Sequence, residues 1–129
     1  MTQLNVMIVD DSMVTTELMA KALAELGHKV VRMAKTGAEA IGAYGACLPD
    51  IVTMDVTMPG MSGVEAAQKI VKSYPDAKII MVTSHAQKSV VLDAKKAGAR
   101  GYILKPIKTD KLRHALEAAI GTETAALSN

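Results

Sequence analysis

Runs of apolar, largely β-branched residues recur five times along the chain, at LNVMIV (4–9), KVVRMA (29–34), DIVTMDV (50–56), KIIMVT (78–83) and GYILKP (101–106). Between and after them the apolar positions fall at helical spacing, which predicts helices over 12–26, 37–46, 63–73, 86–97 and 109–120. The punctuation agrees. Gly27 and Gly98 follow last helical turns, Pro75 follows the third helix, and Thr36 and Thr109 stand where helix N-caps are expected. Strands alternating with single helices require long crossovers, so the fold class expected is α/β, a five-stranded parallel sheet with helices on both faces, doubly wound. In such sheets ligands bind beyond the carboxyl ends of the strands. The polar residues that interrupt the apolar runs all fall there: Asp10 and Asp11 after the first strand, Asp55 at the third, Thr83 at the fourth and Lys105 at the fifth.

Length and composition add bounds. The 129 residues fit one domain, and 50% hydrophobic with 22% charged residues describes a globular chain with a real core. With no Phe or Trp and three Tyr, that core must be built from Val, Ile, Leu, Ala and many of the nine Met. The apolar runs are strand-sized and the start, MTQLNV, is no signal sequence, so the expected location is cytoplasmic, with no membrane contact. The single Cys47 has no partner for an internal disulfide and reads as packing. Residues 1–121 make up the expected domain and 122–129 a short polar tail.

The chemistry starts from a conflict. Asp10 and Asp11 are adjacent like charges at the end of a buried run, and a carboxylate taken from water needs a cation. Three carboxylates against the one ammonium of Lys105 leave two negative charges in the crevice, which suits a divalent hard cation. Mg²⁺ fits because it keeps several waters and takes one or two carboxylates plus phosphate oxygens, with Mn²⁺ as the alternative. Lys105 is a compact charge for a phosphoryl oxygen and Thr83 offers a hydroxyl to another, so Asp55 becomes the candidate nucleophile for an aspartyl phosphate.

The segments IVDDS, DIVTMDVTMPGMSG, MVTS and GYILKP, in this order, resemble the receiver domain of bacterial two-component response regulators over residues 4–120, and are most similar to stand-alone chemotaxis regulators of the CheY type. The resemblance implies strand order 2-1-3-4-5 and a cytoplasmic signalling protein rather than an enzyme, one that assists its own phosphorylation and dephosphorylation. It further implies that Asp55 accepts a phosphoryl group from a phosphohistidine on a sensor histidine kinase. Asp11, Asp55 and the backbone carbonyl of Thr57 would hold the metal, with Asp10 acting through water. Thr83, Ser84 and Lys105 would contact the phosphoryl group, and the Lys105–Pro106 bond would be cis. Thr83 and Tyr102 would form the switch, and Thr57 and His85 would tune dephosphorylation. A monomer is implied, with a phosphorylation-dependent dimer as the alternative.

Other readings fit less well. A phosphohydrolase of the haloacid dehalogenase type needs a general-acid aspartate two residues after its nucleophile, where this chain has Thr57. A flavodoxin-like nucleotide binder needs a phosphate-cradling loop after the first strand, where DDSMVTT begins with anions. A receiver cut from a longer regulator remains an alternative, although nothing after residue 120 resembles a helix-turn-helix and DNA binding by this chain is not expected. Charge is uneven along the chain. Between residues 86 and 114 stand eight Lys or Arg against only Asp93 and Asp110. That face predicts a downstream target with an acidic patch.

Overall fold

The computed structural model describes residues 3–84 and 87–128, with side chains to residue 121. Five strands and five helices alternate: β1 (Asn5–Val9), α1 (Met13–Glu25), β2 (Lys29–Ala34), α2 (Gly37–Cys47), β3 (Ile51–Asp55), α3 (Gly63–Ser73), β4 (Ile79–Thr83), α4 (Lys88–Lys96), β5 (Gly101–Leu104) and α5 (Thr109–Ser128). The strands form one parallel sheet in the order β2-β1-β3-β4-β5. The chain steps outward from β1 to β2, then crosses back over β1 to β3, so the order reverses between β1 and β3. A crevice opens at that point, beyond the carboxyl ends of the strands.

Alternation along each strand divides the interior into two cores. Met7 and Val9, Val52 and Met54, and Ile79 and Met81 point to one face, where they pack on Ala40, Ala43 and Tyr44 of α2, Ala66 and Ile70 of α3 and Ala94 of α4. Val6 and Ile8, Ile51, Ile80 and Val82 point to the other, against Met19 and Leu23 of α1 and Leu112 and Leu116 of α5. Methionine fills the space that aromatic residues leave: Met7, Met19, Met54, Met58 and Met81 are all buried. Each buried Leu, Ile or Met contributes on the order of 2 kcal/mol, so both covers are anchored by several such residues. The exception is α4, whose one buried residue is Ala94 and whose N-cap Gln87 makes no side-chain cap bond.

Local chemistry sets the boundaries. Ser12, Thr36 and Ser62 cap α1, α2 and α3 through side-chain oxygens that accept from the backbone N–H of Thr15, Glu39 and Glu65. Gly27 and Gly98 take positive φ after α1 and α4, as their places in the sequence predict. Thr109 is not a cap. Its hydroxyl donates to Glu25 Oε2 at 3.3 Å, and Leu112 N bonds to Lys108 O, so α5 starts at Thr109 as expected and the cap position falls one residue earlier, at Lys108. The helical backbone of α5 also continues to Ser128, through the stretch expected as a polar tail, because Glu, Ala and Leu there favour helix and no proline interrupts them. No helix among the described residues is long and apolar enough to cross a membrane.

Candidate functional site

Three strand ends supply the charges. β1 delivers Asp10 and Asp11, β3 delivers Asp55, and Lys105 directly follows β5 and is joined to Pro106 by a cis bond. Asp10 and Asp55 are buried, Asp11 is exposed, and Lys105 is only 20% exposed. The ammonium sits between the two buried carboxylates, 3.2 Å from Asp10 Oδ2 and 3.4 Å from Asp55 Oδ1. All three share the sheet face that α1 and α5 cover, since Asp10 follows Val6 and Ile8 in the two-residue alternation and Asp55 follows Ile51.

Backbone groups fix these carboxylates. The Ser12 N–H donates to Asp10 Oδ1 at 2.8 Å, in the turn that also makes Ser12 the cap of α1. The Thr57 N–H donates to Asp55 Oδ1 at 3.4 Å. Gly63 opens α3 against the end of β3: a Cβ there would collide with the Asp55 carbonyl oxygen, and the Gly63 N–H bonds to Val56 O at 2.8 Å. Gly63 was not singled out from the sequence, and Ser12 was not read there as the cap whose backbone N–H fixes Asp10. The signal for Ser12 was a serine placed immediately before a helix; a glycine opening the helix after MPGMS was the signal for Gly63.

Burial and the neighbouring Asp10 charge push the Asp55 carboxyl up to about 6, against the opposing pull of Lys105 and the Thr57 N–H. The one ammonium therefore does not balance the site. Oxygens of Asp10, Asp11 and Asp55 lie within 4.8 Å of one another, a donor set of hard anionic oxygens that fits a divalent hard cation. Beside them is a cavity of about 280 Å³ lined by Asp11, Asp55, Thr57, Ser84 and Lys105, large enough for a tetrahedral anion with its waters.

Asp10, Asp11, Asp55, Thr57, Ser84 and Lys105 thus converge beyond the carboxyl ends of the strands. Thr83 ends β4 buried and is not among the residues lining the cavity, while Ser84 after it is exposed. Tyr102 is 46% exposed and lines a different groove along β5 and α5, which shares Lys105 with the site. His85 lies outside the described residues. The arrangement can hold a cation beside a nucleophilic carboxylate, with the Lys105 ammonium and the hydroxyl-bearing residues Thr57 and Ser84 lining the same space.

A family model for the response regulator receiver domain matches residues 6–117. Among curated proteins, the chemotaxis protein CheY of Listeria monocytogenes is 40% identical over 116 residues, covering 90% of this chain and 98% of the relative. CheY of Thermotoga maritima is 40% identical over 111 residues, covering 86% and 92%. Among solved structures, a chain from the CheX–CheY–BeF3–Mg²⁺ complex of Borrelia burgdorferi superposes with a TM-score of 0.86 at 30% identity, covering 90% of this chain and 88% of its own.

Proposed function

The chain belongs to the response regulator receiver domain family, as a CheY-like member of these two-component signalling proteins, and on that premise we propose that Asp55 is its phosphoacceptor, served by Mg²⁺ and Lys105, in a chemotaxis pathway. The observation that carries this reading is the Lys105 ammonium shared between Asp10 and Asp55 at the mouth of a cavity that also contains Asp11. Asp11, Asp55 and the Thr57 carbonyl would hold the metal, with Asp10 acting through water. When bound, Mg²⁺, or Mn²⁺ in its place, neutralises charge on phosphoryl oxygens.

The chain's own residues do the rest. An Asp55 carboxylate oxygen forms a bond to phosphorus as the bond from phosphorus to the phosphohistidine nitrogen of a sensor kinase breaks, and the imidazole leaves with a proton. Lys105 then turns from Asp55 to a phosphoryl oxygen, and the hydroxyls of Thr83 and Ser84 donate to others. Asp10 stays fixed by the Ser12 N–H. Thr83 moves toward the phosphoryl group and Tyr102 turns inward behind it, a movement that the thin anchoring of α4 through Ala94 permits. Water attack on phosphorus later restores the carboxylate and releases phosphate. Thr57 at the cavity wall tunes that access, and His85, on the sequence reading alone, does the same. The chain thereby assists its own phosphorylation and dephosphorylation, and it acts as a monomer.

The downstream partner presents an acidic patch to the cationic face over residues 86–114, where eight Lys or Arg stand against Asp93 and Asp110. The kinase step is tested by incubating the protein with radiolabelled histidine kinases and Mg²⁺. Label should pass from a kinase to the wild type and not to Asp55→Asn; transfer to both at equal rate would refute the assignment.

A further inference from the structure

On the metal reading given above, Asp11 and Asp55 offer side chains, but Thr57 offers a main-chain carbonyl that its own side chain cannot aim. The path of the loop between β3 and α3 must aim it. One peptide plane of that loop is fixed at both edges: Val56 O accepts the Gly63 N–H at 2.8 Å, and the Thr57 N–H donates to Asp55 Oδ1 at 3.4 Å. The next plane carries the Thr57 carbonyl, and its direction follows from where the chain goes afterwards. Met58 is buried in the core between the sheet and α2 and α3, and Met61 packs against that same core from its rim.

Met61 has a prepared seat. A Cβ at Gly37 would lie 3.1 Å from Met61 Sδ, 3.3 Å from Met61 Cβ and 3.1 Å from Ala66 Cβ, so the thioether fills the place that the glycine leaves open. Gly37 is not among the glycines at positive φ, and what the position requires is therefore space. The seat is fixed on its own side: Gly37 is buried, Thr36 caps α2 through the Glu39 N–H at 3.1 Å, and Ala34 O accepts the Asp10 N–H at 3.0 Å. The loop thus rests on the same frame that holds the acidic residues.

We propose that Met61, seated on Gly37, is a positioning residue for the metal site, holding the loop so that the Thr57 carbonyl stays turned toward the cavity that Asp11, Asp55 and Thr57 line. The proposal rests on the metal reading and deepens it. Met61 does not line that cavity, and it acts through the backbone as outer groups do when they orient metal ligands. Ion chemistry separates this role from plain packing. Mg²⁺ requires near-octahedral ligands at short distances and suffers when one is misdirected, whereas Ca²⁺ accepts irregular geometry and longer bonds. A lower folded fraction would weaken both ions by the same factor.

The test compares Mg²⁺ and Ca²⁺ binding to the full chain by NMR titration without a phosphodonor, with urea unfolding of each variant to show that it is folded throughout. Met61→Ala should weaken Mg²⁺ by about tenfold and Ca²⁺ by less than about threefold. Met61→Leu, of similar volume, should return Mg²⁺ affinity to near the wild-type value. Gly37→Ala crowds the seat and should also weaken Mg²⁺ in preference to Ca²⁺. Asp11→Ala removes a ligand instead of misdirecting one, and should weaken both ions. Unchanged Mg²⁺ binding in Met61→Ala, or equal weakening of the two ions, would overturn the proposal, and the metal reading would still stand if Asp11→Ala loses metal. Wild-type binding of both ions by Asp11→Ala would overturn the metal reading and the proposal with it.

Discussion

Lys105 Nζ lies 3.4 Å from Asp55 Oδ1, and at 3.2 Å the same ammonium meets Asp10 Oδ2. One cation thus ties two buried carboxylates together and leaves the site short of positive charge, since Asp55 is still raised to about 6. The imbalance holds the nucleophile in readiness for a metal and a phosphoryl group. It also has a cost in stability.

The sign of that cost follows from linkage. A carboxyl whose pKa in the folded state lies above its unfolded value of 3.8 binds its proton more tightly when folded, so stability falls as pH rises from 3.8 to about 6 and the full penalty remains above that. In the presence of EDTA at neutral pH, Asp55→Asn should therefore be more stable than the wild type, by on the order of 1–2 kcal/mol after solvent screening. The gain should shrink as pH falls through 6 toward 4, about the window that the two pKa values set. Urea titrations across that range measure it, and a difference independent of pH would contradict the account.

Asp11 and Lys105 should separate metal binding from phosphoryl chemistry. Asp11→Ala removes the exposed member of the oxygen cluster and should lose most of its Mg²⁺ affinity together with phosphorylation. Lys105→Ala removes a cation that competes with the metal for Asp55, so Mg²⁺ should bind as tightly or more tightly while phosphorylation slows, by about a hundredfold or more. Calorimetric Mg²⁺ titration beside a phosphorylation time course distinguishes the two variants.

Far from the site, His28 is buried and its Nδ1 accepts the Leu4 N–H at 3.0 Å, which ties the start of β1 to the turn after α1. Burial, reinforced by the positive amino terminus, lowers its pKa below 6.5. A depressed folded value means that the neutral form is favoured in the native state: the stabilisation is complete above pH 6.5 and is lost as pH falls through the folded pKa. His28→Asn keeps an acceptor oxygen without titrating, and should flatten that part of the stability profile measured by urea unfolding.

Thr53 lies buried in β3 beside Ile8 and Ile80, and its hydroxyl has no hydrogen-bond partner. Replacing an orphaned buried hydroxyl with a methyl removes a desolvation cost at nearly constant shape, so Thr53→Val should stabilise the fold by about 1 kcal/mol. The variant should leave phosphorylation at Asp55 unchanged, which a melting curve and a loading assay check together.

The site was legible in the sequence wherever strand ends announced it. A parallel sheet sends all its carboxyl ends to one side, so reading Asp10, Asp55 and Lys105 as strand-terminal was enough to bring them together before any distance was known. Contacts that depend on how helices lean on the sheet were not legible. The bond from Thr109 to Glu25 joins residues 84 positions apart, and it moved a hydroxyl expected to cap α5 onto α1. The closeness of Gly63 to the Asp55 carbonyl depends on the path of the loop between them, which no periodicity encodes. The end of α5 was misjudged for a different reason: Gly121 and the threonines after it resemble a stop, yet no proline enforces one and the helical backbone continues. The orphaned hydroxyl of Thr53 could not be foreseen, because threonine in a strand is ordinarily unremarkable.

The central claim, that Asp55 carries the phosphoryl group, is tested most directly by locating the acyl phosphate. Protein treated with acetyl phosphate and Mg²⁺ is reduced with borohydride, which converts a phosphorylated aspartate to homoserine, and is then digested and sequenced by tandem mass spectrometry. The account predicts homoserine at position 55 alone, dependent on the divalent ion and absent in Asp55→Asn. Homoserine at another aspartate, or undiminished phosphorylation of the Asp55→Asn protein, would contradict it.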